Sequence, residues 1–186
     1  MHDILQQLGG IIGVAAYAFL ILAILKSNVR QNFAAFMLWG MLDTIATITS
    51  ILENGNFWLP LSNAVGASAV AVLLVIKKQV SWTRVETMTA FLVIICLIVW
   101  STAGQRVALM ATAAAVVIAS IPQMFNTYKK PSETPLIPYF IFLAANVLSL
   151  FAGKSWSVEE RLYPSASLLL TLAIVLLALR KPNWKI

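Results

Sequence analysis

The chain has 186 residues, 60% of them hydrophobic and 11% charged, with a mean hydropathy of +0.87. A soluble domain of this size has no interior large enough for so much apolar surface, so a globular soluble protein is excluded and an all-α polytopic membrane protein is expected. The net charge of +6 is read as loop lysines and arginines marking one side of a membrane, not as a face for nucleic acid.

Seven apolar segments follow along the chain, at about residues 8–25, 33–52, 57–77, 86–101, 106–128, 135–153 and 161–180. Most are near the ~20 residues that cross a bilayer. The first is long and no small-residue cleavage site follows before Lys26, so it is expected to be a span and not a cleaved signal. The second, "FMLWGMLDTIATITS", carries Asp43 near its middle. The third opens with Ser62 and Asn63. The fourth, "TAFLVIICLIVW", is the least polar and is expected to face lipid or to link two halves; it holds the single cysteine, Cys96, which excludes an intrachain disulfide and makes no metal site. The fifth is interrupted by Pro122-Gln123, the sixth is aromatic-rich around Asn146, and the seventh ends near Arg180. The connections are short and carry turn signals, as in "KSNVRQN", "ENGN" and "KKPSETP".

With seven spans, Lys26, Arg30, Lys77, Lys78, Arg84, Lys129, Lys130, Arg180, Lys181 and Lys185 fall on one side, and Arg106, Lys154 and Arg161 on the other. Ten against three predicts an integral membrane protein, of a bacterial inner membrane, with the N-terminus outside and the C-terminus cytoplasmic.

Sliding the chain by 103 residues superposes spans 1–3 on spans 5–7 without a gap. Lys26 then meets Lys129, Asp43 meets Asn146, Ser62 meets Ser165 and Lys77 meets Arg180. Only nine of 79 pairs are identical, a level that apolar helices reach by chance, so the weight lies in the common phase of spans, basic loops and polar centres. The expected organisation is 3+1+3: a three-helix repeat over 1–84, a linker transmembrane helix over 85–104 and a second repeat over 105–186. Repeats with three spans and a linker between them have the same orientation, so they are parallel.

This layout, together with Pro122-Gln123, the basic turn "YKKPSETP" and the aromatic-rich "YFIFLAANVLSLFAG", resembles the SWEET and PQ-loop family of seven-span small-solute transporters. The layout covers nearly the whole chain and the motif about fifteen residues of it. The resemblance implies a pocket between two repeats and a proline in the first span of each. Here the first repeat has Phe19-Leu20 where the second has Pro122-Gln123. The family's pocket asparagines in spans 3 and 7 are not matched either: Asn63 lies near the start of span 3 and span 7 has none. A sugar as solute therefore does not follow.

Several residues carry candidate chemistry. Pro122 removes a backbone hydrogen bond inside a span, which makes it either a hinge or a static kink; Gln123 beside it is expected to serve the broken backbone or a solute. A carboxylate at mid-span costs ~2.5–3.5 kcal/mol on insertion scales and rarely faces lipid. Asp43 is thus the candidate proton-coupling residue, with helix pinning through Thr44 or Thr47 as the plainer alternative. Helical spacing puts Trp39, Asp43 and Thr47 on one face of span 2, and Tyr139, Phe142 and Asn146 on one face of span 6. Facing each other, they would make a pocket with aromatic walls and a polar floor; the alternative is that the aromatics pack and Asn146 binds helices together. Tyr17, Ser62, Asn63, Ser68, Ser120, Ser165 and Thr171 are each weaker candidates, because such groups commonly bond within their own helix. Trp58, Trp82, Trp100, Trp156 and Trp184 lie at span ends and read as interfacial anchors.

The expected function is movement of a small polar solute (sugar, amino acid, vitamin or nucleoside) by alternating access, proton-coupled through Asp43 or by facilitated diffusion. The alternative is a seven-span receptor that binds a ligand without moving it. No cofactor and no catalysis are expected, since paired carboxylates, a metal cluster and a nucleophile–base pair are not found in the spans. Besides the solute, the expected partners are the lipid bilayer and a homo-oligomeric copy.

Overall fold

The structure, a computed structural model, describes residues 2–27, 29–102 and 105–180. Lys181, Trp184 and Lys185, expected on the basic side, lie outside the described residues, as do the turn at 103–104 and the side chain of Arg106. Every regular element among the described residues is helical: α1 (His2–Lys26), α2 (Phe33–Leu52), α3 (Trp58–Ile76), α4 (Arg84–Thr102), α5 (Gln105–Ala119), α6 (Ile121–Lys129), α7 (Leu136–Phe151) and α8 (Val158–Leu179), with one 3-10 turn at Pro131–Glu133.

Among the described residues, six stretches are long and apolar enough to cross a membrane: α1, α2, α3, α4, Met110–Lys129, which joins α5 to α6, and Glu160–Leu179 within α8. α7 is apolar but shorter, at 16 residues. Pro135 caps it and Pro138 sits in its first turn, so the helix cannot extend back through the preceding loop. Large apolar side chains such as Ile11, Val65, Phe91 and Leu176 point outward, the arrangement that suits lipid contact. The chain is an integral membrane protein of α-helices.

Helix ends are set by local chemistry. Asn32 caps α2, its side-chain oxygen accepting from Ala35 N at 3.0 Å. Thr83 and Glu86 start α4 in the manner of a capping box: the Glu86 carboxylate accepts from Thr83 N at 2.7 Å, and the Thr83 hydroxyl accepts from Val85 N at 3.2 Å. α1 begins six residues before the expected span. Its first turns are tied to the segment after α7: Gln6 Nε2 donates to Ala152 O at 3.4 Å and Asp3 pairs with Lys154 at 2.9 Å. Lys154, outside the spans, is held above the ordinary lysine range by that hydrogen bond to Asp3.

α3 packs against both α1 and α2, and α8 against α5, α6 and α7. The two groups meet where α1 lies on α7 and α2 on α5. α4 packs mainly on α5 and buries only Glu86, Thr89 and Val93, leaving its long apolar face outward.

The expected fifth span is one segment in two pieces. Pro122 has no N–H to give, and the ladder breaks at Ser120. Ser120 N turns to Val117 O at 3.1 Å. The carbonyl it leaves, Val116 O, is taken by the Ser120 hydroxyl at 2.8 Å. Regular bonding resumes with Met124 N to Ser120 O at 2.9 Å. The Ser120 hydroxyl thus satisfies the carbonyl that its own N–H gives up, while the Gln123 amide bonds Gln31 and Asn32 just before α2, and Thr127 in its own helix.

Candidate functional site

A cavity of about 40 Å³ lies between the helices, walled by buried side chains. Trp39 and Asp43 reach it from α2, Tyr139, Phe142 and Asn146 from α7, and Tyr17 from α1. Its size admits on the order of two or three waters, less than a ring-sized solute. No lysine or arginine among the described residues lines it.

α8 supplies what the sequence reading overlooked. The Tyr163 hydroxyl donates to Asp43 Oδ1 at 2.7 Å and accepts from Asn63 Nδ2 at 2.9 Å. Asn146 Nδ2 donates to Ser167 O at 3.2 Å and to Thr171 Oγ1 at 3.0 Å. Asp43 and Asn146 therefore both hold on to one helix. Tyr163, Ser167 and Thr171 recur every four residues, a polar stripe down one helical face. That periodicity is the available signal: Thr171 is a weaker candidate in the sequence, and Tyr163 and Ser167 stand in step with it.

The walls are aromatic. Tyr17 meets Phe142 edge-on, with ring centroids 4.5 Å apart at 72°, and Phe142 meets Tyr139 at 5.9 Å. Phe36 and Trp39 pair at 4.8 Å, and Trp39 Nε1 donates to Ser120 Oγ at 3.1 Å, tying α2 to the break in the fifth segment. Tyr17 can lie where it does only because α3 has Gly66 opposite: a Cβ there would stand 2.1 Å from the ring.

Toward the basic end the cavity is backed by a hydrogen-bonded layer. Gln31 Oε1 accepts from the Tyr139 hydroxyl at 2.7 Å and from Gln123 Nε2 at 3.1 Å. Gln123 Oε1 accepts from Asn32 N at 2.8 Å. The hydroxyls of Thr127 and Thr134 meet at 3.0 Å. Asn32 also donates from Nδ2 to Glu86 Oε1 at 2.8 Å, so one residue joins α2, α4 and α6. At the opposite end, Asn56 Nδ2 donates to Ser149 Oγ at 2.9 Å, and Arg161 donates to Leu150 O, Gly153 O and Ser155 O.

Five of the expected pocket residues thus line one cavity: Trp39, Asp43, Tyr139, Phe142 and Asn146. Thr47 and Gln123 do not line it. Thr47 Oγ1 donates to Asp43 O at 2.7 Å within its own helix, and Gln123 belongs to the layer beneath. Tyr17, Asn63 and Thr171, rated as weaker candidates, do line it, together with Phe36, Tyr163 and Ser167.

The Asp43–Tyr163 bond gives a direct test of what holds α2 to α8. In a double-mutant cycle of Asp43→Asn and Tyr163→Phe, thermal unfolding in detergent is expected to give a coupling of about 1–3 kcal/mol, as for buried bonds to an acidic group. Additivity within ~0.5 kcal/mol would mean that the two side chains touch without holding the helices together. Comparison of the chain with protein-family models, with curated proteins and with solved structures gives no significant match.

Proposed function

We propose that the chain is a seven-span transporter of a small polar solute. It is organised as two parallel three-helix repeats joined by the linker helix α4, in the manner of the SWEET and PQ-loop proteins. One observation carries the reading. Phe36 and Tyr139, Trp39 and Phe142, and Asp43 and Asn146 are each 103 residues apart, and all six line the same cavity. The reciprocal contacts support it: α1 on α7 and α2 on α5 are the pairings that a twofold axis along the membrane normal would produce.

In this reading the cavity is the closed form of a midplane site, and rocking of the repeats opens it alternately to the two sides. The basic end faces the cytoplasm. Asp43 has Tyr163 as a donor and no cation in the cavity wall. A proton is then the natural neutraliser of its charge, and solute movement is coupled to it.

The test is thermal stability of the purified protein against panels of sugars, amino acids, vitamins and nucleosides, at about pH 5.5 and about pH 7.5, on wild type and Asp43→Asn. A solute at ~100 times its dissociation constant adds ~2.7 kcal/mol to the folded state. The expected result is a hit whose pH dependence is lost in Asp43→Asn, followed by uptake of that solute into proteoliposomes. Binding without uptake would move the reading to a receptor. No hit at either pH, with Asp43→Asn merely less stable, would reduce Asp43 to a helix-pinning group and remove the case for a solute site.

A further inference from the structure

Beyond the hydrogen-bonded layer, at the basic end, lies a second and much larger space of about 500 Å³. Arg30, Lys77, Lys78, Lys129 and Lys130 stand around it, with Glu133 the one carboxylate among the described residues of its wall. Glu133 is already engaged by Lys130 at 2.9 Å. Four cations thus face the space with no acidic partner among the described residues of its wall. Three connections contribute them: the α1–α2 loop, the α3–α4 turn and the end of α6. Placing charge on loops at one side of a membrane needs only that the lysines be there; it does not require that they converge on one concavity. Like charges so gathered repel, and a concave wall concentrates their field. Gln79, on the same wall, has a covered amide oxygen that meets no donor, as in a wall completed by something outside the protein. Trp82, half exposed beside this mouth, belongs at headgroup depth.

We propose that this vestibule is a binding site for a phosphate-bearing anion of glycerol-phosphate type. Lysine ammoniums and the Arg30 guanidinium would hold the phosphate. Asn126, Ser81 and Thr134, also in the wall, provide uncharged partners for hydroxyls. The same chemistry is presented by a phosphatidylglycerol headgroup and by free glycerol 3-phosphate. The site stands on the vestibule alone and does not depend on solute transport.

The experiment measures the thermal midpoint of the full chain in an uncharged detergent at fixed ionic strength. One arm adds phosphatidylglycerol, with phosphatidylcholine as its control; the other adds glycerol 3-phosphate, with glycerol as its control. The variants are Lys78→Gln/Lys129→Gln, which removes two cations from the vestibule, and Lys154→Gln, which removes one from the opposite end. A saturable upward shift with phosphatidylglycerol alone identifies the lipid as the source, and one with glycerol 3-phosphate identifies the free ester. In either case the half-saturating concentration is expected to rise about tenfold or more in the double variant, at roughly 1 kcal/mol per cation, and to stay unchanged in Lys154→Gln. If the double variant does not fold, Lys129→Gln alone is expected to give about a fivefold rise on the same scale. The proposal is overturned if neither anion shifts the midpoint beyond its control. It also fails if the vestibule variant binds like wild type, or if Lys154→Gln weakens binding equally.

Discussion

Asn32→Ala is expected to destabilise the protein by about 2–4 kcal/mol, combining a lost N-cap at ~0.5–2 kcal/mol and a lost hydrogen bond to the buried Glu86 carboxylate, which keeps its Thr83 donor, at ~1–3 kcal/mol. The side chain is 1% exposed and does two jobs. Its oxygen caps α2 through Ala35 N, and its nitrogen meets Glu86 on α4. Its main-chain N–H, which donates to Gln123, survives the substitution, so the loss belongs to the side chain. Asn32→Ser separates the two roles. Serine keeps the cap but is too short to reach Glu86, and should fall between alanine and wild type. Thermal unfolding in detergent reads both variants. An alanine variant within ~0.5 kcal/mol of wild type, the range of ordinary surface substitutions, would show that α4 is held by its apolar contacts alone.

Gly66→Ala is the second large effect, at about 1–3 kcal/mol for overpacking a filled interior. The new methyl would stand 2.1 Å from the Tyr17 ring, so the ring must leave. Tyr17 is braced against Phe142, so the cavity wall moves with it. The effect should be strongly non-additive. Placed on a Tyr17→Ala background, Gly66→Ala has nothing to strike, and its further cost should be under ~0.5 kcal/mol. Equal costs on both backgrounds would locate the damage in α3 itself. If the cavity is a solute site, Gly66→Ala should also lose any ligand-induced thermal shift, while alanine at the outward Val65 should keep it.

Much of the helical layout was legible because hydropathy alone sets span length, and seven apolar stretches were separated by short polar turns. The break in the fifth was legible too, since proline removes a donor wherever it stands. How the neighbouring turn rearranges was not. That the Ser120 hydroxyl takes Val116 O follows only from the geometry, in which Ser120 N turns to Val117 O. Gln123 illustrates a second limit. An amide beside a kink invites a local partner, and it has one in Thr127 at 3.4 Å; its shorter bonds go 91 and 92 positions away, a distance that no local pattern encodes. The same holds for Tyr163. Its helical stripe with Ser167 and Thr171 was readable, but not that Asp43 would meet it across 120 positions. The start of α1 was misjudged because Gln6 and Asp3 look like a polar lead-in until Ala152 and Lys154 are seen beside them.

In the proposed two-repeat organisation, the interruption at Ser120 makes the two halves mechanically unlike. α1 is one rod of 25 residues, whereas the corresponding stretch of the second half ends in α6, a separate arm of nine and about 13 Å. That arm carries Gln123, Thr127 and Lys129 on a single lever. A swing about Ser120 would therefore break the bonds to Asn32, Gln31 and Thr134 together and displace a vestibule lysine in the same stroke. If solute moves as proposed, α1, which has no such joint, would be the fixed jaw against which this arm closes.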